Sequence, residues 1–165
     1  MSKVIIADPS RHAPQIRDIF WEYLEWANGE IFANYQVSVD IHAILEQNMQ
    51  ELGQFMPPGG RLLLCSPEER PAGVACLKPL NSTTGEIKRM YVRTEYRRQG
   101  LARLLLEGLL EEADRIGYQH VRLDSALFMT EAHALYRSFG FVEIEPYEGS
   151  EIPPEYQKYL VFMER

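Results

Sequence analysis

Cysteine is scarce in this chain of 165 residues: only Cys65 and Cys76 occur. Their spacing fits neither a disulfide scaffold nor a zinc or redox motif. If 61–65 and 72–80 form a hairpin around Ser66–Pro71, Cys65 falls opposite about Ala72 and Cys76 lies several residues further along the ladder. Both are then read as small, unlinked residues. No run of about 18 apolar residues is present, so no membrane-spanning helix is expected. The start, MSKVIIADPS, has neither the long apolar stretch nor the cleavage site of a signal peptide, which makes a cytoplasmic protein the expectation. Basic residues are outnumbered, 17 Lys and Arg against 24 Asp and Glu, for a net charge of -7. That balance speaks against nucleic acid as the main partner while leaving room for a local basic site. The histidines, His12, His42, His120 and His133, show no ligand spacing, and no metal is expected.

What remains is an ordinary globular composition, 45% apolar and 25% charged, read as a single domain over 1–165. A chain of this length hides roughly 70% of its unfolded surface and needs no metal or disulfide to hold a core. Lys3–Ala7 reads as a short strand ended by Asp8-Pro9-Ser10. Ile16, Ile19, Phe20, Tyr23 and Leu24 form one helical stripe that Asn28-Gly29 is expected to end. A loop over Asn28–Val37 follows, and then a second helix carrying Ile41, Ile44, Leu45 and Leu52, capped by Ser38 or Asp40 and closed by Gly53. After the turn Pro57-Pro58-Gly59-Gly60, the segments Arg61–Cys65, Ala72–Leu80 and Glu86–Val92 read as an antiparallel meander. Leu101, Leu105, Leu109 and Ile116 stripe the most regular helix, which Gly117 ends. His120–Asp124 is a strand, Thr130–Ser138 a short helix stopped by Gly140, and Phe141–Glu145 and Tyr159–Glu164 are the last strands. Pro146–Lys158, with Tyr147, Glu148 and Glu151, is irregular.

Tyr96-Arg97-Arg98-Gln99-Gly100-Leu101-Ala102-Arg103 stands between a strand ending at Val92 and a helix starting near Gly100. A helix start offers unpaired N–H groups and the positive end of the dipole, and a glycine lets an anion approach the main chain. Alone, the stretch fits a basic turn tightened by glycine as well as it fits phosphate binding. No Gly-Lys-Ser/Thr follows, and the dinucleotide G-x-G-x-x-G pattern is absent.

With its flanks the stretch resembles the acyl-CoA-binding motif of the GCN5-related N-acetyltransferase (GNAT) family: Arg or Gln, two free positions, Gly, one free position, then Gly or Ala. Arg97, Gly100 and Ala102 fit it. Upstream, Glu86–Val92 looks like the family's central strand. Downstream, Ala132, Leu135-Tyr136 and Phe139-Gly140-Phe141 look like its tyrosine-bearing helix and closing strand. The stretch from Leu123 to Met129 is similar to a bacterial subgroup with Met where many members carry Asn at the start of that helix. The close resemblance covers residues 85–145. It implies an α+β fold, a central mixed, mostly antiparallel sheet of about seven strands with about four helices on its faces. It also implies acetyl-CoA as cosubstrate. Arg97, Arg98, Gln99, Gly100, Leu101, Ala102 and Arg103 would cradle the phosphates. Met90, Tyr91 and Val92 would bind the pantetheine arm as an added strand, with Met129 nearby. Such families commonly form homodimers, although the sequence offers no decisive interface signal.

Transfer of an acyl group from a thioester to an amine needs a neutral amine, a stabilised oxyanion and a proton for the leaving thiolate. An alkyl ammonium of pKa about 10.4 must lose its proton first. Glu86 is the first candidate base, with Glu30 and Glu148 as weaker ones; Glu86 fits a solvent-facing strand residue paired with Lys88 or Arg89 as well. Tyr136 is the candidate acid. By spacing alone it is a core aromatic, and the family resemblance sets it beside the coenzyme sulfur. Trp26, Asn28 and Glu30 are candidates to line an acceptor pocket lying, by resemblance, between the loop after the first helix and Pro146–Lys158. Acidic loops there suit a cationic small-molecule amine. Two rivals stand beside an N-acetyltransferase: a non-catalytic CoA-binding sensor or interaction module, and a nucleotide-phosphate binder, which the missing Gly-Lys-Ser/Thr disfavours.

Overall fold

The computed structural model describes residues 3–66 and 70–165. Its strands are β1 (Lys3–Ile6), β2 (Arg61–Ser66), β3 (Gly73–Pro79), β4 (Thr84–Val92), β5 (His120–Ala126), β6 (Val142–Ile144) and β7 (Leu160–Glu164). Its helices are α1 (Pro9–Tyr35), α2 (Ile41–Gln50), α3 (Leu101–Ile116) and α4 (Thr130–Ser138), with a 3-10 turn at Leu52–Phe55 and another at Pro154–Tyr159. The strands form one sheet in the order β1-β2-β3-β4-β5-β7-β6, and only β4 and β5 run parallel. This is the expected α+β, mostly antiparallel architecture of seven strands and four main helices. No helix among the described residues is long and apolar enough to cross a membrane.

The alternation of β2 and β3 divides the core in two. Leu63, Ala75 and Leu77 face α3, where Leu105 and Leu109 are fully buried; Leu62, Leu64, Val74 and Cys76 face Ile16, Ile19 and Phe20 of α1. Each such leucine contributes about 1.5–3 kcal/mol by leaving water. Cys65 belongs to the α3 side and Cys76 to the α1 side, so the two free thiols are separated by the sheet itself. Cys65 pairs with Gly73 rather than Ala72, and Cys76 with Leu62. The turn expected over Ser66–Pro71 lies partly outside the described residues.

Several boundaries differ from expectation. Asp8 caps α1 by accepting from the Ser10 N–H, with Pro9 as its first residue. The helix then runs through Asn28-Gly29 to Tyr35, replacing the expected loop, and ends at Gln36 in the left-handed conformation. Gly29 does not take a positive φ, so its cost of about 1 kcal/mol in a helix is borne rather than used to stop the chain. The extra turns gain an anchor where Tyr35 stacks on Tyr159 at 4.4 Å and meets Phe128 at 6.0 Å. Asp40, not Ser38, caps α2 through the Ala43 N–H. That helix stops at Gln50, and Leu52 and Gly53 belong to the 3-10 turn. β4 begins at Thr84, ahead of the expected start, because Thr84 and Gly85 pair with His120 and Val121. The final closing strands are shorter than expected, Val142–Ile144 and Leu160–Glu164, and Pro154–Tyr159 adds a turn to the irregular stretch.

Candidate active site

The backbone ladder between β4 and β5 consists of three pairs, Thr84 with His120, Gly85 with Val121 and Glu86 with Arg122. Beyond it the strands share a cleft of about 190 Å³. Its walls come from β4 (Ile87–Met90), β5 (Leu123–Ala126), α4 with its N-cap (Tyr136, Met129), α1 (Tyr23, Trp26) and the 146–158 stretch (Glu151, Ile152). Two residues past the last pair on each strand, Lys88 Nζ meets Asp124 Oδ2 at 2.7 Å, so an ion pair joins the strands where main-chain pairing ends. On its other edge β4 stays paired with β3, but the register shifts between Val74 and Cys76, and Arg89 on β4 takes φ 53°. This is a bulge, which re-aims the side chains that follow it.

Because α3 packs back across the sheet after β4, its first turn lies at the end where β4 and β5 part. Gly100 is its N-cap at φ 80°, no side chain caps it, and a Cβ built there would project into open space. Arg98 is also left-handed, at φ 60°. The first intrahelical bond closes from Leu104 N–H to Gly100 carbonyl, which leaves the N–H groups of Leu101, Ala102 and Arg103 as the helix's free donors. Arg98, Gln99 and Gly100 are exposed. The side chain of Arg97 folds back instead: its Nε donates to the Val92 carbonyl at 3.0 Å and its guanidinium lies 4.7 Å over Trp26. Arg103 lies over Phe139 at 4.9 Å, tying α3 to α4. The free donors at this helix start are therefore backbone N–H groups, while Arg97 and Arg103, two of the expected arginines, pack and cross-link.

Tyr136 reaches the cleft from α4, and its hydroxyl donates to Met90 Sδ at 3.7 Å. Burial raises the phenol above its ordinary pKa of 10.0, so it is held protonated. Met129 is the N-cap of α4 and also lines the cleft. Behind it, Ser125 Oγ lies 3.1 Å from His133 Nε2, and burial lowers that imidazole so that it is neutral at pH 7.

Glu86 is 0% exposed, not solvent-facing, and it is not among the residues lining the cleft. Tyr147 donates to its Oε2 at 2.6 Å, while Lys88 and Lys78 stand 3.6 and 3.7 Å from Oε1. Burial pushes its carboxyl up, against the pull of Lys88 and the Tyr147 bond. Lys88 is raised: burial acts to lower it, but Asp124, Glu151 and Glu86 outweigh that. Glu151 Oε1 accepts from Arg89 Nη1 at 2.9 Å and lies 3.5 Å from Lys88 Nζ. Burial acts to raise Glu151, yet the two cations win and hold it down at about 2.

The expected pocket residues divide. Trp26 lines the cleft, whereas Asn28, Glu30 and Glu148 do not. Asn28 instead accepts from the Val39 N–H at 3.1 Å and fastens the segment after α1. Lys88, Asp124, Arg89 and Glu151 carry the cleft's charge and were not foreseen as a group. Alternation from Glu86 puts Lys88 on the same face, which was the available signal; the bulge at Arg89 and the fold-over of Glu151 had none. Arg93, fully buried, bonds the Pro71 carbonyl at 2.7 Å and ion-pairs Asp18 and Glu22 of α1, fixing the loop after β4 to that helix. No group of three or more His, Cys, Asp or Glu among the described residues is placed to hold a metal.

The family model described as acetyltransferase (GNAT) family matches residues 13–141. An uncharacterized N-acetyltransferase of Schizosaccharomyces pombe is 29% identical over 126 residues, 75% of this chain and 77% of that protein. One of Dictyostelium discoideum is 39% identical over 62 residues, and the match spans 38% of this chain but only 29% of the relative's length. Among solved structures, the PaiA N-acetyltransferase of Thermoplasma acidophilum in complex with coenzyme A superposes with a TM-score of 0.72 at 13% identity, covering 100% of this chain and 98% of that one. At that identity the likeness is one of fold.

Proposed function

The chain belongs to the GNAT acetyltransferase family, and from that footing we propose that it moves an acetyl group from acetyl-CoA to the primary amine of a small molecule, by direct attack in a ternary complex without an acyl-enzyme. The observation that carries this reading is the early end of the β4–β5 ladder at Glu86 and Arg122. It leaves a strand edge open beside an uncapped helix start.

The residues fit the cosubstrate. Gly100 has no neighbour within 4 Å of a Cβ position, so phosphate can approach the main chain, and the amides of Leu101–Arg103 supply donors at the positive end of α3. The edge of Met90–Val92, where Arg97 already engages the Val92 carbonyl, offers its other peptide groups to an extended amide chain, as an added strand would use them. Acetyl-CoA supplies the thioester that is broken. A peptide N–H of the same stretch receives the negative charge that develops on the carbonyl oxygen. Tyr136 gives its proton to the sulfur as the C–S bond breaks and the C–N bond is left in place, and the proton that the new amide nitrogen sheds restores the phenol. Its raised pKa makes it a weaker acid than free phenol, but a thiolate in the same desolvated cleft is raised as well, which keeps the transfer matched.

The ammonium proton goes to the Asp124–Lys88–Glu86 cluster. Asp124 lines the cleft; Glu86, behind Lys88, acts through it by adding negative charge. Glu151, held at about 2, is too weak a base for this task.

Calorimetry with acetyl-CoA, CoA and ATP, followed by free-thiol release across a panel of primary amines, tests the proposal. Binding of acetyl-CoA and CoA but not ATP, with amine-dependent thiol release, is expected. Coenzyme binding with no release for any amine would instead identify a CoA-binding module, and ATP binding alone would overturn both readings.

A further inference from the structure

Arg89 stands apart from the other cation of the cleft because it has one acidic partner. Lys88 is shared among Asp124, Glu86 and Glu151, whereas among the described residues Arg89 forms an ion pair with Glu151 alone. Its Nη2 donates to Asn48 Oδ1 at 2.7 Å, and its Nε is buried without a partner. Asn48, 3% exposed, likewise has an amide nitrogen without one. The left-handed backbone at Arg89 is disfavoured for a residue that carries a side chain, so the bulge holds the guanidinium here against a local penalty. Both cations belong to the central strand. The carboxylate that meets them comes from the irregular 146–158 stretch, and its side chain is 42% exposed.

We propose that Arg89, with Asn48 and Lys88 beside it, is a docking point for a carboxylate on the acceptor, and that Glu151 fills it when no acceptor is bound. The acceptor class is then a small amino acid, one molecule bearing both the amine and the carboxylate. This rests on the acetyl-transfer reading above and names its substrate class.

Three arguments support it. If Glu151 swings away, Arg89 becomes a mostly buried guanidinium without a counter-ion, a costly state that an incoming carboxylate relieves in the forked geometry arginine favours. An acceptor carrying only positive charge gains little here, because Glu151 is already engaged by two cations at 2.9 and 3.5 Å. Finally, Asp124 Oδ2 and Glu151 Oε1 both lie within 3.5 Å of the same Lys88 nitrogen. Those two oxygens are therefore at most about 6.2 Å apart, and an ammonium hydrogen-bonded to Asp124 on the side facing Arg89 comes within reach of a carboxylate on the same small zwitterion. The remaining wall, with Trp26, Ala27, Ile31 and Ile152, suits an apolar side chain.

The test compares thiol release for a panel of amino acids with release for their amides and decarboxylated amines. We expect kcat/KM at least 10-fold higher for the acids. Arg89→Gln should erase that ratio by raising KM for the acids alone, and Glu151→Gln should raise kcat/KM for the acids a few fold by vacating the site. Should the buried Arg89 variant fail to fold, the exposed Glu151 variant and the wild-type ratio still decide. Amides or decarboxylated amines used as well as the acids would overturn this proposal and leave acetyl transfer standing. Thiol release with no amine at all would overturn acetyl transfer too, and acetyl-CoA binding would then report whether the coenzyme site survives.

Discussion

Lys88 Nζ and Asp124 Oδ2 meet at 2.7 Å, two residues beyond Glu86 and Arg122, the last main-chain partners of β4 and β5. The pair holds the strands at a fixed separation where hydrogen bonds no longer do, and it lines the cleft that opens there. Asp124→Asn should lower kcat/KM by about 100-fold or more, the range of a positioned proton acceptor. Glu86→Gln should lower it by less, because that carboxylate acts through Lys88 rather than on the substrate. A larger loss for Glu86→Gln than for Asp124→Asn would reverse the roles assigned to the two acids.

Tyr136→Phe removes one hydroxyl and a weak bond to Met90 Sδ at 3.7 Å. The ring still packs against Phe141 at 5.8 Å, so the fold should be retained. Turnover should fall by about 100-fold or more, as for a general acid, while acetyl-CoA affinity stays within a few fold. Single-turnover thiol release and calorimetry measure the two quantities. Unchanged turnover would mean that water protonates the thiolate.

Gly100→Ala probes the cradle. At φ 80° an alanine costs roughly 1 kcal/mol of stability, read as a lowered Tm. The new Cβ meets nothing in the protein, so its main effect should fall on the ligand. Calorimetry should show CoA binding weakened by about 10-fold, about 1.4 kcal/mol. Equal affinity in both proteins would remove phosphate from this helix start.

The meander of β2, β3 and β4 and the helix start at Gly100 were legible because they rest on local signals: strand segments parted by Pro, Gly, Asn and Ser clusters, the leucine stripe of α3, and the glycine ahead of it. Tyr136 and Met129 were reachable only through the family resemblance. What stayed hidden depends on contacts distant in the chain. The length of α1 is supported by Tyr35 stacking on Tyr159, and the position of Glu151 is fixed by cations on β4. The bulge at Arg89 is a matter of register, visible only once Val74 is paired with Tyr91 and Cys76 with Lys88. The solvent-facing alternative for Glu86 stayed open because a strand's alternation tells which face a residue takes, but not whether a loop covers that face; here Tyr147 does.

Glu151 ties that covering stretch to the central strand, and its titration should be visible in stability. Its carboxyl is held at about 2 in the folded protein against an ordinary 4.5. An acid lowered on folding stabilises above its unfolded value and loses that contribution as pH falls through the folded one. With the side chain 42% exposed, solvent screening reduces the contribution to about 1 kcal/mol. Glu151→Gln should therefore be less stable than wild type by about that amount from pH 7 down to pH 5, as read by urea unfolding. The gap should then close as pH drops from 4.5 toward 2, because wild type loses what the variant never had. A gap that stays constant over this range would mean that Glu151 acts through packing, and that the cations of β4 hold no charge on the loop.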